Sequence, residues 1–170
     1  PAPEEDETLW QGPLALKTVQ DGKATTDMNA MLPGVRETDI PVPDAKNSVW
    51  KLNAETIGVY RVAYSPEHLA KLGKAAAQKD SAFSLEDRGG LVRDAFTLAQ
   101  AGYSKTSGGL ALMHALRGDN SSLVYTAAAL NLGKLASVWW EQPQSVRDGI
   151  NRFRADVFGP MARELTFEFG

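Results

Sequence analysis

The chain has no cysteine, only two histidines and no long apolar run. Each shortage removes a class of protein. Without cysteine there is no disulfide framework and no thiolate metal site. That fits a reducing compartment, and a cytoplasmic protein is the expectation. No stretch approaches the roughly 18 apolar residues of a membrane span. The N-terminus lacks the basic-then-apolar pattern of a signal peptide. There is no excess of positive charge either: 18 Lys/Arg against 21 Asp/Glu leave −3. Neither nucleic acid nor an anionic membrane is therefore an expected partner. The chain does not open with Met. It opens Pro1-Ala2-Pro3 and then Glu4-Glu5-Asp6-Glu7, which reads as a solvated acidic lead-in to a piece cut from something longer.

What is present is ordinary for a globular protein: 170 residues, 43% hydrophobic and 23% charged. The charge is uneven. Residues 1–60 hold 5 Lys/Arg and 10 Asp/Glu, whereas the remainder holds 13 and 11. That shift marks a boundary, and the local patterns change at the same place.

Before the boundary the chain reads as short strands. Leu9, Trp10, Leu14 and Leu16 suggest a strand interrupted at Gly12-Pro13, since a proline inside a strand implies an edge or a bulge. Asp21-Gly22 is a hairpin signal. A weaker strand over Thr25–Leu32 ends at Pro33-Gly34, residues 39–43 are extended, and another strand starts at Val49. Residues 57–64 alternate, with Tyr60, Val62 and Tyr64 on one face and Val59, Arg61 and Ala63 on the other, which predicts a half-buried strand. Lys51 is expected to be exposed.

After the boundary the period becomes helical. Ser65 caps and Pro66 opens the first helix, with Leu69, Leu72 and Ala76 as its apolar face. Ser84 and Asp87 approximate a capping box for a second helix, which buries Leu91, Ala95 and Leu98 with Val92, Phe96 and Ala99 and stops at Gly102. Ser104 or Thr106 caps a third carrying Leu110, Met113 and Leu116. Ser121 or Ser122 caps a fourth carrying Leu123, Ala127, Leu130, Leu135 and Val138. A fifth starts near Pro143 with the row Val146, Ile150, Phe153, Val157, Met161 and Leu165, and Pro160 should kink or break it. The fold class is α+β: a small antiparallel β-sandwich over residues 1–64, then an antiparallel α-helical solenoid-like array over 65–170.

Trp50-Lys51-Leu52-Asn53 followed by Gly58-Val59-Tyr60-Arg61-Val62-Ala63-Tyr64 carries a resemblance. So do Ser84-Leu85-Glu86-Asp87-Arg88, Gly90-Leu91-Val92-Arg93-Asp94-Ala95-Phe96 and Ala101-Gly102-Tyr103-Ser104-Lys105-Thr106. Together they resemble the junction between the β-sandwich and the C-terminal helical domain of zinc aminopeptidases of the aminopeptidase N and puromycin-sensitive type. The resemblance runs from about Thr8 to the C-terminus. It implies a parent enzyme that removes N-terminal residues from peptides, with this piece as spacer and active-site wall. It also implies an incomplete sandwich lacking its first strand.

The family's chemistry needs H-E-x-x-H on a helix, two histidines one turn apart holding zinc and the glutamate acting as general base. His68 and His114 each lack a second histidine one turn away. The exopeptidase motif G-A-M-E-N is also missing; Met28-Asn29 and Met31 lack its Gly and Glu. No catalytic, metal or cofactor residue is carried over, and zinc is expected only in a catalytic domain of the same polypeptide. Other candidates read as structure. Gly89-Gly90 and Gly108-Gly109 lack the following G-K-[ST] of a phosphate loop and suit close helix packing. Glu86-Asp87 and Asp94 could form an acid pair but better suit a cap and an exposed or ion-paired face. Trp139-Trp140 suits interhelical packing. Arg61, if buried, needs a carboxylate such as Asp87 or Asp94. The expected partners are the catalytic domain, its peptide substrates and, through the fifth helix, a second copy of this chain. The alternative is a stand-alone protein-interaction module.

Overall fold

The computed structural model describes residues 8–119 and 121–164. The chain divides into two compact units, Pro1–Val62 and Ala63–Gly170.

The first unit holds two small antiparallel sheets. β1 (Gln11–Pro13) pairs with β4 (Met31–Pro33). β2 (Leu16–Gln20) lies between β3 (Lys23–Asp27) and β5 (Val49–Lys51). The Asp21-Gly22 signal is realised as a two-residue hairpin: Gln20 pairs with Lys23, and both turn residues hold positive φ, 51° and 75°. Two successive left-handed residues match the twist of the flanking strands. The run predicted over Thr25–Leu32 is two strands, β3 and β4, split by an Asp27 turn whose carboxylate accepts from the Asn29 amide at 2.8 Å.

Residues 57–64 are not a strand. The alternation itself holds: Tyr60, Val62 and Tyr64 are half-buried while Val59, Arg61 and Ala63 are exposed. Among the described residues no strand ladder includes this segment. Side chains supply the hydrogen bonds instead. Asn53, buried at a φ of 56°, accepts from the Gly58 amide at 2.7 Å and donates to the carbonyls of Gly58 and Tyr60 at 3.1 and 3.0 Å. The Tyr60 hydroxyl donates to the Leu14 carbonyl.

Lys51 is buried, against expectation, and so is Lys17, its partner across β2 and β5. Each ammonium has acceptors. Lys17 bonds the Glu55 carboxylate, and Lys51 donates to the carbonyls of Leu52 and Asn53. A buried lysine is tolerated only on such terms.

The second unit holds five helices: α1 (Pro66–Ala76), α2 (Leu85–Gln100), α3 (Thr106–Ala115), α4 (Ser122–Val138) and α5 (Gln144–Glu164). α1 packs on α3, α3 on α2, α2 on α4, and α5 meets α4 more lightly. The starts of α1 and α2 follow the sequence reading. Ser65 Oγ accepts from the His68 amide, and Ser84 and Asp87 form a reciprocal capping box. At the end of α2, Gly102 (φ 82°) donates to Ala99 and Tyr103 to Leu98, which satisfies the last carbonyls. α3 differs: its cap position is Lys105, with no side-chain bond. At α4 the cap position is Ser121, but its hydroxyl does not cap.

The core comprises Leu72, Phe83, Leu91, Val92, Phe96, Leu112, Met113, Leu116, Val124, Ala128, Leu132 and Val157. Each large member contributes about 1.5–3 kcal/mol on burial. α4 turns a different face inward from the one predicted. Val124, Ala128 and Leu132 are buried, whereas Leu130 and Val138 are exposed. α4 is apolar on nearly every side, so periodicity does not choose its face. α5 also differs, running unbroken through Pro160. Only about one turn follows the proline, and Asp156, whose carbonyl loses its bond, is exposed to water. In α5, Val157 is buried, and Val146, Ile150, Phe153 and Met161 are half-buried. Leu165 lies outside the described residues. No helix among the described residues is long and apolar enough to cross a membrane.

Candidate functional site

The residues singled out by type resolve into packing and capping. Asp87 is fully buried and spent on the α2 cap. Gly89 and Gly109 stand where a side chain would collide. A Cβ at Gly89 would lie 3.0 Å from Leu123, and one at Gly109 3.2 Å from the Phe96 ring. A Cβ at Gly108 would likewise lie 3.4 Å from Leu69, so these glycines serve close helix packing. Trp139 is half-buried at the end of α4 and lines a cavity of about 320 Å³ with Phe96 and Leu135, while Trp140 is exposed. Arg61 is exposed, so the condition for a buried pair with Asp87 or Asp94 is not met.

The two histidines stand in different surroundings. His68 in α1 is half-buried, its ring 5.5 Å from that of Tyr64. His114, near the end of α3, is exposed. Its Nδ1 lies 3.3 Å from Asp156 Oδ2 on α5, and its Nε2 lies 3.2 Å from Arg117 Nη1. A neutral ring protonated at Nδ1 suits both contacts, donating to the carboxylate and accepting from the guanidinium. No group of three His, Cys, Asp or Glu among the described residues is placed to hold a metal ion.

The feature that sequence reading missed is a cleft of about 450 Å³ in the helical unit. The end of α1 and the residues after it, Ala76 to Lys79, form one wall; Ala115 to Asp119, between α3 and α4, form the other, and Arg88 of α2 lies between them. Arg88 Nη1 donates to the Phe83 carbonyl at 2.9 Å, and its Nε stands 2.6 Å from Asp119 Oδ2. Arg117 Nη1 donates to the His114 carbonyl at 2.9 Å, closing the end of α3. The signal in the sequence was Arg88, one residue past the capping box, but its partner lies in a loop that no period predicts.

This helical unit, entered through a β-rich segment ending in W-K-L-N, has a known counterpart. Residues 50–170 match the ERAP1-like C-terminal domain, and the chain belongs to that family. Its curated relatives are aminopeptidases. It is similar to Aminopeptidase 2, mitochondrial, of Saccharomyces cerevisiae, 32% identical over 98% of this chain and 16% of that protein. It is also similar to Aminopeptidase 2 of Candida albicans, 30% identical over 97% of this chain and 17% of that protein. An Aminopeptidase N of Plutella xylostella is 29% identical over 96% of this chain and 17% of that one. The chain thus spans about a sixth of the length of these relatives.

Proposed function

We propose that this chain is a non-catalytic part of a zinc aminopeptidase that removes N-terminal residues from peptides. The family match over residues 50–170 carries this reading, and the similarity of nearly the whole chain to aminopeptidases supports it. In this reading residues 1–64 form a β-sandwich spacer, the two sheets being its halves. Residues 65–170 are the first helices of a solenoid-like array that walls the chamber where peptides are held. The partners are the catalytic domain of the same polypeptide, which holds the zinc, and the peptide substrates. The compartment is the cytoplasm.

The test is to read the coding sequence upstream of Pro1. An in-frame H-E-x-x-H with a distal glutamate is the expected result. A start codon close upstream, with no such motif, would overturn the assignment. A second reading, a stand-alone interaction module, draws on the exposed apolar side chains Leu130, Val138 and Trp140. That same upstream sequence separates the two.

A further inference from the structure

We propose that the cleft between the α1–α2 and α3–α4 links is a binding site for a phosphate dianion. Among the described residues, three cationic side chains, Lys79, Arg88 and Arg117, line it with a single carboxylate, Asp119. That carboxylate is already committed. Its Oδ2 faces Arg88 Nε at 2.6 Å and its Oδ1 accepts from the Ser121 amide at 2.8 Å. Side chains therefore leave an excess of two positive charges around a cleft of about 450 Å³.

Two effects work against an anion and are smaller. The C-terminal ends of α1 and α3 face this region, each equivalent to about half a negative charge. Arg117 answers the α3 end by donating Nη1 to the His114 carbonyl. α4 begins directly after the cleft, at Ser122, and its positive end offsets about half a charge in turn. The balance stays positive.

The donors are also available in number. Lys79 and Arg117 are exposed. Arg88 donates Nη1 to the Phe83 carbonyl and stands against the Asp119 carboxylate, which holds its guanidinium beside the cleft. Charge-assisted bonds from guanidinium to phosphate are among the stronger polar contacts, and arginine suits a multi-oxygen anion in particular. Coulomb attraction scales with ligand charge. A phosphate dianion therefore gains about twice what a monoanionic carboxylate gains at the same distance.

The experiment uses the full chain with inorganic phosphate as the probe and acetate as the comparison, at an ionic strength held constant with sodium chloride. Amide shifts are followed by two-dimensional NMR. The expected result is saturable movement at Gln78, Lys79 and Gly118 with phosphate. The paired variant Lys79→Ala, Arg117→Ala should bind at least tenfold more weakly. Both side chains are exposed, and among the described residues Arg117 bonds only His114, so amide changes in the free variant should be confined to the end of α3. Lys134→Ala, at a different cavity, should leave the affinity unchanged. Shifts that do not saturate, that are equal for acetate, or that survive the paired variant would overturn the proposal. This site is independent of the aminopeptidase reading and is tested without peptide substrate.

Discussion

Nε of Arg88, on α2, stands 2.6 Å from Oδ2 of Asp119, in the link between α3 and α4. Both side chains are largely buried, 15% and 7% exposed. The N–H does not point along the line of contact, so the bond is Coulombic more than directional. Removing either partner leaves a buried charge without its counterion. Asp119→Ala should lower stability by about 3 kcal/mol, and Arg88→Ala by a similar amount. The double variant should cost less than the two together, because the residues are coupled. Urea unfolding of all four proteins checks this; additive losses would mean that the two charges do not interact.

The buried lysine of β5 makes a second case. Lys51→Ala removes a donor to two carbonyls and should cost about 1–3 kcal/mol. Lys23→Ala, on the exposed strand β3, should stay within about 0.5 kcal/mol. Equal urea midpoints for the two variants would show that Lys51 is not held as described.

Much of the helical unit was legible in the sequence because its ends carry chemistry. Ser65-Pro66, Ser84 with Asp87, and Gly102 each satisfy backbone groups that have no partner inside the helix, and each stands where it was read. Lys51 shows the limit. Alternation gives the face of a strand but not what covers that face, and Lys51 reads as solvent-facing until the Leu52 and Asn53 carbonyls close over it. Residues 57–64 fail differently. Tyr60 and Val62 lie on the predicted side, yet whether an extended segment becomes a strand depends on a neighbour distant in sequence. α4 fails because its apolar residues leave two faces equally plausible. The cleft was invisible because it rests on Arg88 and Asp119, which only the packing of α2 against the α3–α4 link brings together.

Two glycines separate packing from propensity. A Cβ at Gly109 would press on three atoms of the Phe96 ring at 3.2–3.3 Å, while Gly133 in α4 has nothing within 4 Å. Gly109→Ala should therefore destabilise by about 1–3 kcal/mol, and Gly133→Ala should stabilise by about 0.5–1 kcal/mol. Thermal unfolding of both variants reads the opposite signs. A gain at Gly109 would mean that the ring yields freely.

Self-association of the isolated chain through α5 is a further proposal. Ile150 and Phe153 remain partly open to solvent. Sedimentation velocity over a range of concentrations should show a rising average mass, and Phe153→Glu should abolish the rise. A monomer at every concentration would show that α4 and α5 close their own face.

The proposal that these 170 residues are part of an aminopeptidase and do not carry its chemistry can be tested on the chain itself. The most direct measurement is hydrolysis of aminoacyl-coumarin substrates by the purified chain, with zinc content determined on the same sample. No turnover above buffer and no stoichiometric zinc are expected. One zinc per chain, with turnover that a chelator removes, would contradict it.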